Sequence, residues 1–451
     1  MDRYIVAGGL VVSSKGSMPA NLLVEDGRIT EWVGDLRERD LPIIDAGGTL
    51  ILPGIIDAHT HFHMASGDQF TVDDFSFGGR LAASAGVTSI IDFIEPLSTQ
   101  NLSEAIMARF EDVKGCPLDY QFHLVIPQRF ARDPAWFELI DRYHLAAVKG
   151  FTTYREDGLC LDAEDLENLL AWASKHVGLL TFHAEDDGLL RAAEEKLLAK
   201  GQSDICFFPQ SRPLDTEEIA IRKLLAIGSL PADLYFVHLS TRKALDTIIE
   251  ARQTHPDRAL WVETCPQYLV LDESVYEREA DLNTVCPPLR THEDQAALWM
   301  GIRTGIVDVV ASDHCAFALE MKRSSTWQAT RAGLPSVDAI LPVLVNEGVG
   351  KGRISWEDLV RVTSENPARL FRLKGKGSLT PGHDADFVMI SGHKPLDTKE
   401  TFLQSRAAYS PFHKEQMDRR WLKHVVRRGE FLVLDGRLEA SLGNGSFIPL
   451  G

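Results

Sequence analysis

The stretch Gly54–Met64, GIIDAHTHFHM, decides how the chain is read: the apolar pair Ile55 and Ile56 leads into three histidines at alternate positions, His59, His61 and His63. Alternate residues of a strand share one face. A strand serving only as core would not end in imidazoles. The run therefore reads as a buried strand whose carboxyl end carries chemistry.

Seven further runs of this kind follow: TSIIDF, YQFHLVI, AAVKGF, LLTFHAE, LYFVHLS, LWVETCP and VDVVASDH. Between them lie stretches of helical periodicity, among them SEAIMARFEDVK, AEDLENLLAWASKH, TEEIAIRKLLAIG and HEDQAALWMGIRTG. Short β-branched runs alternating with helices predict parallel strands joined by crossover helices. Eight such units over roughly 300 residues fit a TIM-type (β/α)8 barrel, for which about 250 residues is typical before insertions. An open, doubly wound sheet is the rival, and no G-x-G-x-x-G follows an early strand to support it.

The two ends have a different texture. YIVAGGLVVS, ANLLVEDGRITEWVG and IIDAGGTLILPG are short β runs broken by Gly and charged turns, and similar runs return in DADFVMISG, VVRRGEFLVLDGRL and SFIPL. The expected organisation is an α/β barrel over 52–375 and a small composite β-sandwich domain built from 1–51 and 376–451. YIVAGGLVV is not read as a leader, because its start is charge-neutral, Gly8 and Gly9 interrupt it, and a hairpin partner follows.

With 44% hydrophobic and 25% charged residues, a chain of 451 residues has ample core for a globular protein. A net charge of -18 argues against nucleic acid or an anionic membrane surface as partner. No apolar run of about 18 residues occurs, so no membrane-spanning helix is expected. The cysteines, Cys116, Cys160, Cys206, Cys265, Cys286 and Cys315, form no C-x-x-C pair. Reduced thiols and a cytoplasmic setting are the expectation.

In five of the eight runs a polar residue sits at the carboxyl end: His59 and His61 in the first, Lys149 in the fourth, His183 in the fifth, His238 in the sixth and Asp313 in the eighth. Barrel active sites sit at that end and draw on several strands. Each residue alone has a plainer reading, as a hydrogen-bonded core histidine, a lysine reaching the rim or a helix-capping aspartate. Six of them on strand ends of one fold point to a metal site. Four imidazoles and a carboxylate suit one or two divalent ions, zinc first, with Mn, Fe, Co or Ni as alternatives. Lysine is the odd member, since an ammonium cannot ligate. Burial beside cations favours the neutral amine, which can take up carbon dioxide as a carbamate and bridge two ions.

That order, His-x-His, Lys, His, His, Asp, resembles the binuclear amidohydrolase superfamily. Within it the chain is most similar to the dihydropyrimidinase and hydantoinase family, through GIIDAHTHF, TVDDFSFGGRLAASAGVTSIIDF, AVKGFTTY, HAED, VHLS, ETCPQYL, CPPLR, ASDHCAF, SENPARLFRL and GSLTPGHDADFVMI. The resemblance implies that His59, His61 and Asp313 hold one ion and His183 and His238 the other, with N6-carboxylated Lys149 bridging both. It implies Tyr154 as the group that holds the developing oxyanion and Asp313 as the proton carrier. It also implies main-chain contacts to a ring amide at Cys286, where relatives usually have serine, and at Ala332, where many have asparagine. A homo-oligomer, commonly a tetramer, is implied as well.

The implied activity is hydrolysis of a cyclic amide or imide, a hydantoin or 5,6-dihydropyrimidine, to an N-carbamoyl amino acid. Allantoinase or dihydroorotase chemistry on the same scaffold is the first alternative. Enzymes acting on dihydroorotate carry an arginine where His63 stands, which argues against that substrate. A non-catalytic scaffold like the collapsin-response proteins is the second alternative, disfavoured because all six ligand positions are filled. His63 departs from the Asp or Gln of relatives and is expected to line the pocket or to be exposed rather than to bind metal. MASGDQF and FALEMKRSSTW are expected to form mobile rim loops that set side-chain preference.

Overall fold

The computed structural model describes residues 3–34, 36, 40–175, 179–227, 232–391 and 402–451. Eight parallel strands form one sheet in sequence order: Ile55–Thr60, Val87–Ile94, Asp119–Val125, Ala147–Phe151, Leu179–His183, Leu234–Phe236, Leu260–Thr264 and Val309–Val310. The first and last are joined where the main chain of His59–His61 meets that of Asp313–His314. Asp313 N–H donates to His59 O at 2.9 Å and His61 N–H to His314 O at 2.8 Å. The barrel thus closes at three residues already marked by the sequence.

Every residue of Ile55–Thr60 and Val87–Ile94 is buried, as expected for strands covered on both faces by the barrel interior and the outer helices. The four helical stretches read from the sequence form helices Leu102–Asp112, Ala163–Ala173, Asp215–Ala226 and His292–Thr304. Three of them start at reciprocal capping boxes, Asn101 with Glu104, Asp162 with Asp165 and Thr291 with Asp294, which satisfy two otherwise orphaned N–H groups each.

The β strands near the two ends form a second, nine-stranded sheet. Its seam is the antiparallel pairing of Leu50–Pro53 with Phe387–Ile390. Strand Arg3–Ser13 pairs with Gly16–Glu25 as the expected hairpin. Tyr4 and Phe431 lie four strand-to-strand steps apart in this sheet, about 19 Å if it were flat, at about 4.8 Å per step. Their ring centroids are 6.1 Å apart, and Tyr4 Oη donates to Gly429 O at 3.0 Å. The sheet therefore folds over on itself, around Val6, Leu22, Ile29, Phe387 and Val426, giving the composite sandwich.

SFIPL departs from expectation. Instead of adding to that sandwich, it runs beside the barrel strand Asp119–Val125, with Tyr120 N–H donating to Ser446 O at 3.0 Å and Ile448 N–H to Tyr120 O at 2.9 Å. The reason lies in register. Pairing of this strand with its fourth-strand neighbour begins only at His123, so the edge at Tyr120 is open, and the chain end fills it. Ile448 then joins Phe371, Ile56, Ile91, Tyr235 and Val309 in the apolar core of the barrel.

The two expected rim loops carry more order than predicted. The first contains a small hairpin, Ala65–Ser66 with Gln69–Phe70, and the second a helical turn, Leu319–Lys322. Among the described residues no helix is long and apolar enough to cross a membrane, and all six cysteines are unpaired.

Candidate active site

At the carboxyl ends of the barrel strands lies a cavity of about 590 Å³. Its lining includes the nine residues given metal, catalytic or substrate roles from the sequence: His59, His61, Lys149, Tyr154, His183, His238, Cys286, Asp313 and Ala332. Parallel strands that end together bring these side chains to one mouth. Three of them, Tyr154, His238 and Asp313, sit at positive φ of 63°, 38° and 52°, a region unfavourable for non-glycine residues that concentrates at functional sites.

The polar groups form two clusters. In the first, His59 Nε2 and His61 Nε2 are 3.2 Å apart, and Asp313 Oδ1 lies 3.2 Å from one and 3.4 Å from the other. In the second, His183 Nδ1 and His238 Nε2 face each other at 3.0 Å. The His59 and His238 ring centroids are 5.6 Å apart, so the clusters are neighbours.

Three of these rings are held from behind by carboxylates. Glu263 Oε1 lies 2.7 Å from His59 Nδ1, Glu95 Oε1 lies 2.9 Å from His61 Nδ1, and Glu185 Oε2 lies 2.8 Å from His183 Nε2. Such a partner fixes the N–H on the outer nitrogen and turns the lone pair of the other inward. In the first cluster, where both rings are held this way, lone pairs facing each other at 3.2 Å repel unless a cation lies between them. The donor set thus fits metal ions on geometry and chemistry alike, and His59, His61 and Asp313 offer three ligand atoms all within 4.8 Å of one another.

The electrostatics agree. Burial drives the pKa of His59 and His238 well below the usual imidazole value and lowers that of His183, which keeps them neutral, the ligating form. His61 goes the other way: burial opposes its protonation, but Asp313 and Glu95 outweigh it and carry the pKa up to about 10. Burial opposes ionisation of Asp313, yet His59 and His61 hold its carboxyl below the usual range.

Lys149 is 2% exposed, with Nζ 5.3 Å from the Phe93 ring centre and 5.2 Å from that of Phe151. Burial pulls its pKa down to about 8, against the nearby Glu263, Asp313 and Glu95. Tyr154 stands over the second cluster, its ring centroid 5.0 Å from that of His183. Arg212 lies over the Tyr154 ring, Cζ 5.3 Å from its centroid, and is paired with Glu185. His63 does not line the cavity. It is 40% exposed at its side chain, bound to Asp112 at 2.9 Å, stacked on Phe70, and faces an adjoining hollow of about 510 Å³.

Sequence reading missed the carboxylates Glu95, Glu185 and Glu263, and Arg212. Glu185 stands in HAED and Glu263 in LWVETCP, beside residues that sequence reading did single out. The signal that would have found Glu263 is an acidic residue directly after the apolar run Leu260–Val262, one place before the end of the barrel strand.

Comparison with known proteins agrees with this geometry. A model described as the amidohydrolase family matches residues 50–432. A D-phenylhydantoinase of Escherichia coli O1:K1 / APEC is 34% identical over 457 residues, covering 99% of this chain and 98% of the relative. The structure of a D-hydantoinase from a Bacillus sp. AR9 matches with a TM-score of 0.89 at 31% identity, over 99% of each chain. That of dihydropyrimidinase from Brevibacillus agri NCHU1002 matches with a TM-score of 0.88 at 30% identity, over 100% of this chain and 99% of the other. Sequence, fold and the paired histidine clusters agree: the chain belongs to the amidohydrolase family.

Proposed function

We propose that the protein hydrolyses the C–N bond of a cyclic ureide, a hydantoin or a 5,6-dihydropyrimidine, to an N-carbamoyl amino acid, at a centre of two divalent ions. His59, His61 and Asp313 would hold one ion, His183 and His238 the other, with the carbamate of Lys149 between them. Two such ions, zinc first among the candidates, would supply Lewis-acid polarisation of the carbonyl and a lowered pKa for water.

The chain's own residues do the rest. Asp313 presents Oδ1 to His59 and His61, leaving its second oxygen to take the proton of the attacking water. As the ring C–N bond breaks, Asp313 delivers that proton to the departing ureido nitrogen, which leaves as the neutral NH2 of the carbamoyl group. General acid–base transfer of this kind contributes about 10²–10⁴-fold. Tyr154, across the cavity, donates its phenolic O–H to the oxygen that gains charge. Burial raises its pKa, which keeps that proton in place. The main chain at Cys286 and Ala332 would grip the ring amide. For Lys149, the neutral amine adds to carbon dioxide, forming the N–C bond and releasing one proton.

The observation that carries this reading is the convergence of four imidazoles, Lys149, Asp313 and Tyr154 on one cavity. The experiment is kcat/KM of the purified protein, under one metal condition, for hydantoin, a 5-aryl hydantoin, dihydrouracil, allantoin and dihydroorotate. Hydantoin, the 5-aryl hydantoin or dihydrouracil should win over dihydroorotate, because a desolvated carboxylate needs a partner and His63 is engaged with Asp112 away from the cavity. Allantoin or dihydroorotate ahead by tenfold, about 1.4 kcal/mol, would overturn the substrate assignment. Metal analysis separates the enzyme from a scaffold, and the expected tetramer is checked by sedimentation.

A further inference from the structure

Lys322 is 0% exposed and forms no ion pair among the described residues. A buried ammonium without a counter-ion is costly, so its surroundings must hold it by other means. Nζ lies within hydrogen-bond distance of four acceptors that share its N–H donors: Thr284 O at 2.9 Å, Thr284 Oγ1 at 2.7 Å, Arg331 O at 2.8 Å and Gly333 O at 3.0 Å. Burial pulls the pKa of the amine down to about 7, and Nζ is held by three main-chain carbonyls and one hydroxyl, drawn from two segments far apart in sequence.

Those segments are the two walls that the functional reading assigns to the ring amide. Val285, Cys286, Arg331, Ala332 and Gly333 line the cavity, whereas Lys322 and Thr284 do not. The amine therefore lies behind the wall. In a trans peptide the C=O and the following N–H point in opposite directions. With the carbonyls of Thr284 and Arg331 turned back onto Nζ, the N–H groups of Val285 and Ala332 are turned away from it. Two further bonds lock the arrangement: Gly333 N–H donates to Thr284 O at 2.9 Å, and Thr284 Oγ1 donates to Arg331 O at 3.0 Å.

We propose that Lys322 is a positioning residue for the reaction: from behind the cavity wall it clamps the main chain at 284–286 to that at 331–333 and sets the direction of the amide groups that bind the substrate ring. The proposal rests on the functional reading above. Lys322 touches no substrate atom, and its effect is exerted through Val285, Cys286 and Ala332. A ring amide is present in both the ground state and the transition state, so a disordered wall weakens both equally and raises KM with little change in kcat.

The test compares Lys322→Met, which removes donors and charge, with Lys322→Gln, which keeps two donors without charge. KM for hydantoin should rise tenfold or more in the Met variant and less in the Gln variant. In both, kcat should stay within threefold of wild type and metal content should be unchanged. Amide hydrogen exchange at 284–286 and 331–334 should quicken at least tenfold in the Met variant, while the first and fifth barrel strands keep their protection. Unchanged KM and exchange would overturn the proposal, as would a fall in kcat alone or failure of both variants to fold, which would make Lys322 a residue of general stability. Wild-type protein inert toward the ureides would withdraw the functional reading, and the exchange measurement would then decide the clamp by itself.

Discussion

Glu263 Oε1 lies 2.7 Å from His59 Nδ1, and the same carboxylate accepts from Tyr235 Oη at 2.7 Å and His238 N–H at 3.1 Å. One buried acid thus touches a residue of each histidine cluster. Its removal should loosen both. Outer partners of this kind typically contribute 10–100-fold in metal affinity. Glu263→Gln is expected to release metal to a chelator at roughly 10–100-fold lower chelator concentration. Retention equal to wild type in a competition titration would show that Glu263 only fills space.

Lys149 is the bridge in the proposed centre. Lys149→Ala should lose at least one ion per chain and nearly all turnover. Short carboxylic acids, which can enter the vacated volume as anions, should restore part of both. Full metal content and activity in this variant would remove the carbamate from the scheme.

Tyr154 and Asp313 act on charge that develops only during reaction. Tyr154→Phe should lower kcat by about 10²–10³, the usual effect of losing one oxyanion donor, with KM little changed. Asp313→Asn should be more severe, since it removes the proton carrier and weakens a ligand. Steady-state kinetics at matched metal content decide this, and wild-type kcat in Tyr154→Phe would cancel its role.

Glu217 provides a pH test independent of catalysis. Burial pushes its pKa up to about 7, although Arg290 and the bonds from Ser240 N–H and Oγ favour the anion. The unfolded chain releases that proton near pH 4.5, so between about 4.5 and 7 the folded form binds more protons and stability falls as pH rises. Glu217→Gln, which resembles the protonated acid, lacks this slope. Its unfolding free energy relative to wild type should therefore climb across that window and level off above it, by up to about 3 kcal/mol, and its Tm should rise in step. A difference that is flat with pH would show that Glu217 titrates normally.

The strands were legible because each is a short apolar run, and the site because its ligands sit at the ends of those runs. His183 and His238 are 55 residues apart, yet the barrel rule alone places them together. Less was visible where partners come from elsewhere in the chain. Glu95 and Glu263 gain meaning only once His61 and His59 turn toward them. Lys322 reads as one more surface charge in FALEMKRSSTW until folding buries it among carbonyls. SFIPL has the texture of the sandwich strands, and nothing local says that an open edge at Tyr120 awaits it.

The seam between Leu50–Pro53 and Phe387–Ile390 has a consequence for how the protein is made. The amino-terminal hairpin leaves the ribosome early, but its edge partner emerges roughly 300 residues later, tens of seconds at about 5–20 residues per second. Through that interval Leu50–Pro53 presents an unpaired strand edge, the feature most prone to recruit a foreign strand. Nascent chains halted before residue 387 should therefore cling to holdase chaperones through their first 53 residues, and release should follow only when the carboxyl-terminal strands arrive.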